Sequence, residues 1–340
     1  MRPACWRSWQ NTPEPVVADW RSLATPEALR LRASVYRHIR EFFHARDVLE
    51  VETPVLSEAG NTDPNIESFR LEFSGPAAAG SRHRWLRTSP EFPLKRLLAG
   101  GVGDCYELGR VFRNGEYGRR HNPEFTMLEW YRVGWDHLQL IDECVELVLG
   151  VFALNGRRLD LARFSYRELF QQQLGIDPLT APLELLSAEV GQHARIDTDG
   201  LSHDDLLDLL LTHAIEPALP ADRLTVIHDF PATQCALARI RHDAIPVAER
   251  FELYVGGVEL ANGYHELNDA AEQRARFEND LLRRRERNGA PLPPVDHRLL
   301  AALPDMPDCA GVALGIDRLM MCLLGAEAFA EIAAFDFSRA

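Results

Sequence analysis

The run FELYVGGVELAN, residues 251–262, constrains the fold of this chain more than any other segment. Two strand-forming stretches flank Gly256-Gly257, and a two-residue turn there requires positive φ at both central positions, which glycine adopts freely. Such a turn pairs Val255 with Val258 and Tyr254 with Glu259. Glu252 then shares a face with Glu259, because side chains alternate along a strand. As diagonal neighbours the two acids lie roughly 7 Å apart and repel by about 2 kcal/mol at an effective dielectric of 20. Two resolutions are open. One or both carboxylates face water, or a hard cation such as Mg2+, commonly shared with nucleotide phosphates, lies between them.

A second antiparallel pair is expected at Cys105–Phe112 and Glu124–Arg132, joined by the polar, glycine-containing NGEYGRRHN. Leu29, Leu31, Val35, Ile39, Phe42 and Phe43 recur at helical spacing, which predicts a helix from Pro26 to about Arg46, started by Thr25-Pro26-Glu27. VLEVETPVL then reads as a β-segment ended by Pro54. Further helices are expected at 137–152, 166–174, 182–192, 203–213 and 270–288, the last ending at Gly289, and IDRLMMCLLG reads as a closing helix. Antiparallel hairpins with helices outside them define an α+β fold on a mainly antiparallel sheet.

The first twenty residues lack the apolar core of a signal peptide and no stretch reaches the ~18 apolar residues of a membrane span, so a cytoplasmic protein is expected. The six cysteines are dispersed, without CxxC spacing, and are expected to be mostly buried thiols. A net charge of −14 argues against a surface broadly adapted to nucleic acid. The basic run Arg274, Arg276, Arg283, Arg284, Arg285 and Arg287 reads either as a local basic patch or as the solvated face of a helix. GVALG lacks the spacing of a dinucleotide fold or a P-loop. None of His121, His228, His242 or His265 falls in a HExxH spacing, and GxSxG is absent, so zinc-hydrolase and serine-hydrolase chemistry are not expected.

In EFTMLEWYR, Phe125, Met127, Glu129 and Tyr131 point to one side of their strand. A buried carboxylate needs a partner, so Glu129 with Tyr131 either receives the ammonium of a cationic substrate or pairs with a local arginine. Arg113, after one strand, and Arg318, early in the last helix, are candidate phosphate clamps, since guanidinium forks suit phosphate oxygens.

Taken in order, VLEVETPVL, RVFRNGEYGRRHNPEFTMLEWY and GVALGIDRL resemble the three signature motifs of class II aminoacyl-tRNA synthetases. TSPEFPLKRLL and ELANGYHELNDA bring the resemblance closest to lysyl-tRNA synthetases, over roughly Ala28 to the C-terminus. The tRNA-charging members carry an N-terminal anticodon-binding barrel, whereas only about 25 residues precede the first helix here, too few for an independently folding domain. The expectation is an N-terminal extension at 1–27, one synthetase-like catalytic domain at 28–340, and no anticodon-binding domain. Recognition of tRNA is then not expected. The chain resembles instead the truncated paralogues that join (R)-β-lysine to a lysine side chain of elongation factor P. A minimal tRNA-charging enzyme and a non-catalytic paralogue are the alternatives, the second disfavoured because Arg113, Glu252, Glu259 and Arg318 are all present.

The resemblance implies an antiparallel sheet flanked by helices, a homodimer formed through the first motif, and use of ATP and Mg2+. It implies catalytic roles for Arg113 on the α-phosphate and Arg318 on the γ-phosphate, with adenine stacked between Phe125 and Arg318. Asn114, Gly115, His121, Asn122, Leu260 and Gly315 match further nucleotide contacts, and Glu252 and Glu259 match the magnesium-binding acids. Glu129 and Tyr131 match the receivers of the substrate's distal ammonium, and Ser89, Pro90, Glu91, Asn262, Tyr264 and Glu266 match further substrate contacts. Two positions depart from the family. Gly115 and then Glu116 stand where Glu usually follows Arg-Asn, and Ala313 replaces a glycine of lysyl-tRNA synthetases. A methyl group in a tight pocket alters discrimination by ~1–3 kcal/mol, which fits a changed amino acid.

Overall fold

A computed structural model of the chain describes residues 20–288 and 292–340. Most of the expected N-terminal extension, Cys5 and Gly289 therefore lie outside the described residues, as does the side chain of Arg287.

Helix α1 (Pro26–His44) leads into the short strands β1 (Leu49–Glu50), β2 (Leu56–Ser57), β3 (Arg70–Glu72) and β4 (His83–Leu86), then helix α2 (Glu91–Ala99). Strands β5 (Cys105–Phe112) and β6 (Glu124–Val133) precede α3 (His137–Leu154) and β7 (Asp160–Ser165). Helices α4 (Tyr166–Leu174), α5 (Leu183–His193) and α6 (His203–Leu210) come next, followed by β8 (Arg223–Pro231), β9 (Ile240–Arg241), β10 (Val247–Val255) and β11 (Val258–His265). The chain continues through α7 (Ala270–Asn288), α8 (His297–Ala302), β12 (Cys309–Gly315) and α9 (Ile316–Leu324).

The main sheet runs β1-β5-β6-β12-β11-β10-β8-β7, with β9 paired to β10, while β2, β4 and β3 form a small separate sheet. Pairing is antiparallel except at β1 with β5 and β7 with β8. The fold is thus the expected α+β arrangement. VLEVETPVL differs: only its ends form strands, and residues 51–55 between them are irregular. Pro54 supplies no N–H, and the Thr53 N–H and hydroxyl are drawn to the buried Glu107 carboxylate at 3.1 and 2.7 Å. The helix expected at 203–213 is α-helical only to Leu210 and continues as a π-turn over Leu211–Ile215.

Local signals set the helix ends. Thr25 accepts from the Ala28 N–H with Pro26 at the first turn, and Asp136, Ser165 and Ser202 form capping boxes with Gln139, Glu168 and Asp205. One face of the sheet is sealed by α1, α3 and α9, around Phe43, Leu128, Trp130, Val148, Phe251 and Val312. The opposite face is flanked by α4–α6 on one side and by α2 and α8 on the other, and it opens between them.

A buried ion pair ties α1 to the sealed side. Arg32 of α1 meets Asp317 of α9 at 2.7 Å and donates to Thr126 Oγ1 of β6 at 3.0 Å, while Asp317 accepts the Thr126 N–H at 2.6 Å. Removing one partner leaves a buried charge unpaired. Arg32→Met is therefore expected to lower the unfolding free energy by about 3–5 kcal/mol in denaturant titrations; a loss under ~1 kcal/mol would show that the pair does not fasten α1 to the sheet.

Candidate functional site

A cavity of about 550 Å³ opens on the uncovered face of the sheet. Strand alternation aims Phe125, Met127, Glu129 and Tyr131 of β6 into it, as the sequence implies. The β10–β11 hairpin has the expected pairs Val255–Val258 and Tyr254–Glu259. Beyond them the register shifts, so that Leu253 faces Ala261 and Glu252 faces Asn262. One extra residue, at Leu260, has entered β11. This bulge decides the site: with unbroken alternation Glu259 would share its face with Ala261 and Gly263, whereas here Glu259, Asn262, Tyr264 and Glu266 all line the cavity.

At one end the cavity is acidic and enclosed. Glu129 accepts hydrogen bonds from Ser89 Oγ at 2.6 Å and from Tyr131 OH at 2.8 Å, with no arginine partner among the described residues. Lys95 Nζ, fully buried, lies 2.6 Å from both Glu91 and Glu266. Three carboxylates thus face one ammonium. Burial, and then the charge of Glu91, push the Glu129 carboxyl up to about 8, only partly offset by Ser89 and Tyr131. Burial raises Glu266 to about 7 against the pull of Lys95. For Lys95 burial works against the charge, but Glu266 and Glu91 outweigh it and hold the ammonium above the usual lysine value.

The floor of this end is tightly graded. Ala313 of β12 pairs with Glu129 on one side and Asn262 on the other, so its methyl group stands between them. Two residues away, Gly311 pairs with Tyr131 and Tyr264, and a Cβ there would meet the Tyr131 ring at 2.3 Å and Glu266 Oε1 at 2.5 Å. Only glycine allows these groups to approach so closely.

The other end carries the arginines. Arg113 lies over the Phe125 ring at 5.1 Å and 3.7 Å from Glu116. Arg318 pairs with Glu259 at 3.0 Å and contacts His121 Nε2 at 3.2 Å. Burial and then Arg318 lower the pKa of His121. Glu252 is buried, paired with Arg250 and accepting from Tyr254 OH at 2.5 Å. Each acid of the hairpin therefore has a guanidinium partner, and the repulsion expected between them is already reduced within the protein. A surplus of negative charge remains. Burial, with Glu259 adding, raises the Glu252 pKa despite Arg250, and burial followed by Glu252 and Glu259 raises Glu216 to about 7. This all-oxygen donor set fits a hard divalent cation.

Of the other residues singled out from sequence, Ser89, Asn122, Leu260 and Gly315 also line the cavity. Pro90, Asn114 and Gly115 do not. Pro90 begins α2, while Asn114 and Gly115 are exposed in a turn where Gly115 has φ 81° and the Asn114 N–H is taken by Glu67 O. That turn leaves Glu116 to line the cavity. Sequence reasoning named Glu116 only as a departure from the family and missed Lys95 and Arg250. The i, i+4 spacing of Glu91 and Lys95 in TSPEFPLKRLL was the available signal for one of them. In the basic run, Arg284 is buried against Glu67 and the Asn61 carbonyl, Arg276 donates to the carbonyls of Ala236 and Ala238, and Arg283 lines the cavity. The run is therefore neither wholly a basic patch nor wholly a solvated face.

An open antiparallel sheet with this cavity on one face is the catalytic architecture of class II synthetases, and the family of class II tRNA synthetases (D, K and N) matches residues 13–339. The chain is 48% identical over 322 residues to an elongation factor P–(R)-β-lysine ligase of Mannheimia succiniciproducens, covering 94% of this chain and 98% of that protein. It is 47% and 46% identical to proteins of the same description from Klebsiella pneumoniae and Vibrio cholerae, each over 327 residues, 95% of this chain and 99% of the relative. The chain belongs to the class II tRNA synthetases (D, K and N), and within them to the family of elongation factor P–(R)-β-lysine ligases.

The raised pKa of Glu129 has a stability consequence. A carboxyl held at about 8 when folded and near 4.3 when unfolded contributes stability below pH ~4.3 that is lost as pH rises toward 8. Glu129→Gln does not titrate, so its stability relative to the unaltered protein is expected to improve by a few kcal/mol between pH 5 and 8. Parallel denaturation curves across that range would count against a buried, reluctant carboxylate.

Proposed function

We propose that this chain is a cytoplasmic ligase that activates (R)-β-lysine with ATP and transfers it to a lysine side chain of elongation factor P. The observation that carries this reading is a single cavity in which two buried carboxylates, Glu129 and Glu266, and the half-buried Glu91, with one ammonium, adjoin an arginine-lined end. A β-lysine brings two ammonium groups and one carboxylate. Its distal ammonium goes to Glu129 and Tyr131, and its second amine finds Glu91, Asn262, Tyr264 and Glu266 along the same wall. Two ammonium groups there oppose the burial and the carboxylate repulsion that otherwise hold protons on Glu129 and Glu266. The Ala313 methyl limits the room between Glu129 and Asn262, which bears on where the amine sits.

ATP lies across the arginine-lined end with its adenine against Phe125. Arg113 neutralises charge at the α-phosphate and Arg318 at the γ-phosphate. Glu252 and Glu259 would hold Mg2+, which supplies further neutralisation of the phosphates. The amino acid carboxylate attacks the α-phosphorus, the bond to the bridging oxygen breaks, and pyrophosphate leaves. The acceptor lysine amine, having lost a proton, then attacks the acyl carbon; the carbon–oxygen bond of the mixed anhydride breaks, AMP leaves and an amide remains. In the first step the protein's part is positioning and charge neutralisation, and no covalent enzyme intermediate is formed.

Pyrophosphate exchange with (R)-β-lysine tests the first step, and mass spectrometry of elongation factor P after the full reaction tests the second. Arg318→Ala is expected to slow exchange about 10²–10³-fold, the scale of losing one preorganised charge-stabilising donor. Exchange with neither β-lysine nor lysine would overturn the assignment, and undiminished exchange in Arg318→Ala would remove the phosphate role.

A homodimer formed through VLEVETPVL belongs to the same proposal. Leu49, Val55 and Leu56 are exposed along it at 52, 38 and 47%, an apolar row of the kind that marks an association surface. Analytical ultracentrifugation is expected to give twice the chain mass, and Leu56→Glu to shift the equilibrium toward monomer. A strictly monomeric unaltered protein at micromolar concentration would rule this out.

A further inference from the structure

On the sealed face of the same strands, His137, Glu249 and His265 place one ligand-capable atom each within 4.8 Å of one another. His137 opens α3, Glu249 lies in β10, and His265 lies in β11 next to the cavity residue Glu266. The His137 ring is buried. Its Nε2 meets Asp229 Oδ1 at 3.2 Å, while its Nδ1 is buried without a hydrogen-bond partner. His265 Nδ1 is 2.6 Å from Glu249 Oε2, and its Nε2 is 3.0 Å from Asp308 Oδ1.

Each imidazole is thus backed on one nitrogen by a carboxylate outside the trio, the arrangement that fixes tautomer and ring orientation in metal-binding histidines. Asp229 reaches His137 from a left-handed backbone, φ 57°, where the β8–β10 register slips and Glu249 and Arg250 oppose a single residue. Arg241 pairs with Asp229 at 2.9 Å and approaches Glu249 at 3.5 Å, and Arg239 pairs with Asp308. Arg241 also pairs with the exposed Asp243, and His228 Nδ1 lies 3.3 Å from Asp229, so four carboxylates against two guanidinium groups leave a net negative charge beside the imidazoles. An orphaned buried nitrogen is expensive, and an added cation would satisfy it together with that charge.

We propose that His137, Glu249 and His265 form a structural site for a zinc-class divalent ion, pinning the start of α3 to the reverse side of the hairpin that carries the cavity acids. Two imidazoles and one carboxylate suit tetrahedral Zn2+, with water in the fourth position, and are poorly suited to Mg2+. Binding replaces the His265–Glu249 hydrogen bond with two bonds to the ion, and any proton shared there is released to solvent. The site lies apart from Glu252 and Glu259, which face the cavity.

The test uses the full chain, stripped with chelator and dialysed against Co2+ or Zn2+ in excess Mg2+, so that the oxygen-only acids are occupied. One Co2+ per chain, with the strong visible bands of four-coordinate cobalt, is expected. His137→Gln should abolish those bands, and Asp229→Asn, which touches no ion, should weaken affinity about 10–100-fold. Zn2+ should also raise the melting temperature of the unaltered protein beyond the effect of Mg2+ alone, a readout that does not require any variant to fold. No stoichiometric cobalt, unchanged bands in His137→Gln, or no zinc-specific rise in melting temperature would overturn the proposal.

Discussion

Buried carboxylate outnumbers buried cation in this protein's cavity, and much of the site follows from that imbalance. Lys95 can satisfy Glu91 and Glu266 but leaves Glu129 with only the neutral donors Ser89 and Tyr131. A protein interior tolerates such an arrangement when protons or a cationic ligand complete it. The acids cannot simply turn toward water, because their strands are fixed from behind by the core around Trp130, Phe251 and Val312. The packed face thus holds the polar face in an electrostatically unfinished state, which is the condition for recognising a ligand with two ammonium groups.

The sheet performs two tasks by alternation. Even where the same strand passes through both environments, as with Glu266 beside His265, one side chain enters the cavity and the next enters the sealed half. The Arg32–Asp317 pair links these tasks, since it joins α1 to the first turn of α9, one residue from Arg318. A shift of α1 would therefore be transmitted to a residue that faces the cavity.

Much of this was legible in the sequence because it rests on local rules. Gly256-Gly257 specified the turn and its first two pairs, and alternation placed Glu129 and Tyr131 together on one face. One helix start followed from Thr25-Pro26. What escaped was non-local. Lys95 gains its role from Glu266, far away in the chain, and Arg318 reaches Glu259 from the last helix; Arg250 is the exception, two residues from Glu252 on one strand, where alternation could have paired them. The irregular middle of VLEVETPVL was hidden for the same reason: its Thr53 is claimed by Glu107 of a distant strand. The His137, Glu249 and His265 group has no sequence spacing that would reveal it.

The extra residue at Leu260 has an implication for how such a chain can change over time. Side-chain replacements on β11 alter one contact each, but losing or gaining a single residue between Glu259 and Asn262 would rotate every downstream group through half a turn, sending Asn262, Tyr264 and Glu266 into the greasy interior and His265 into the binding chamber. Inheritance along this stretch should therefore guard its letter count even more strictly than its spelling.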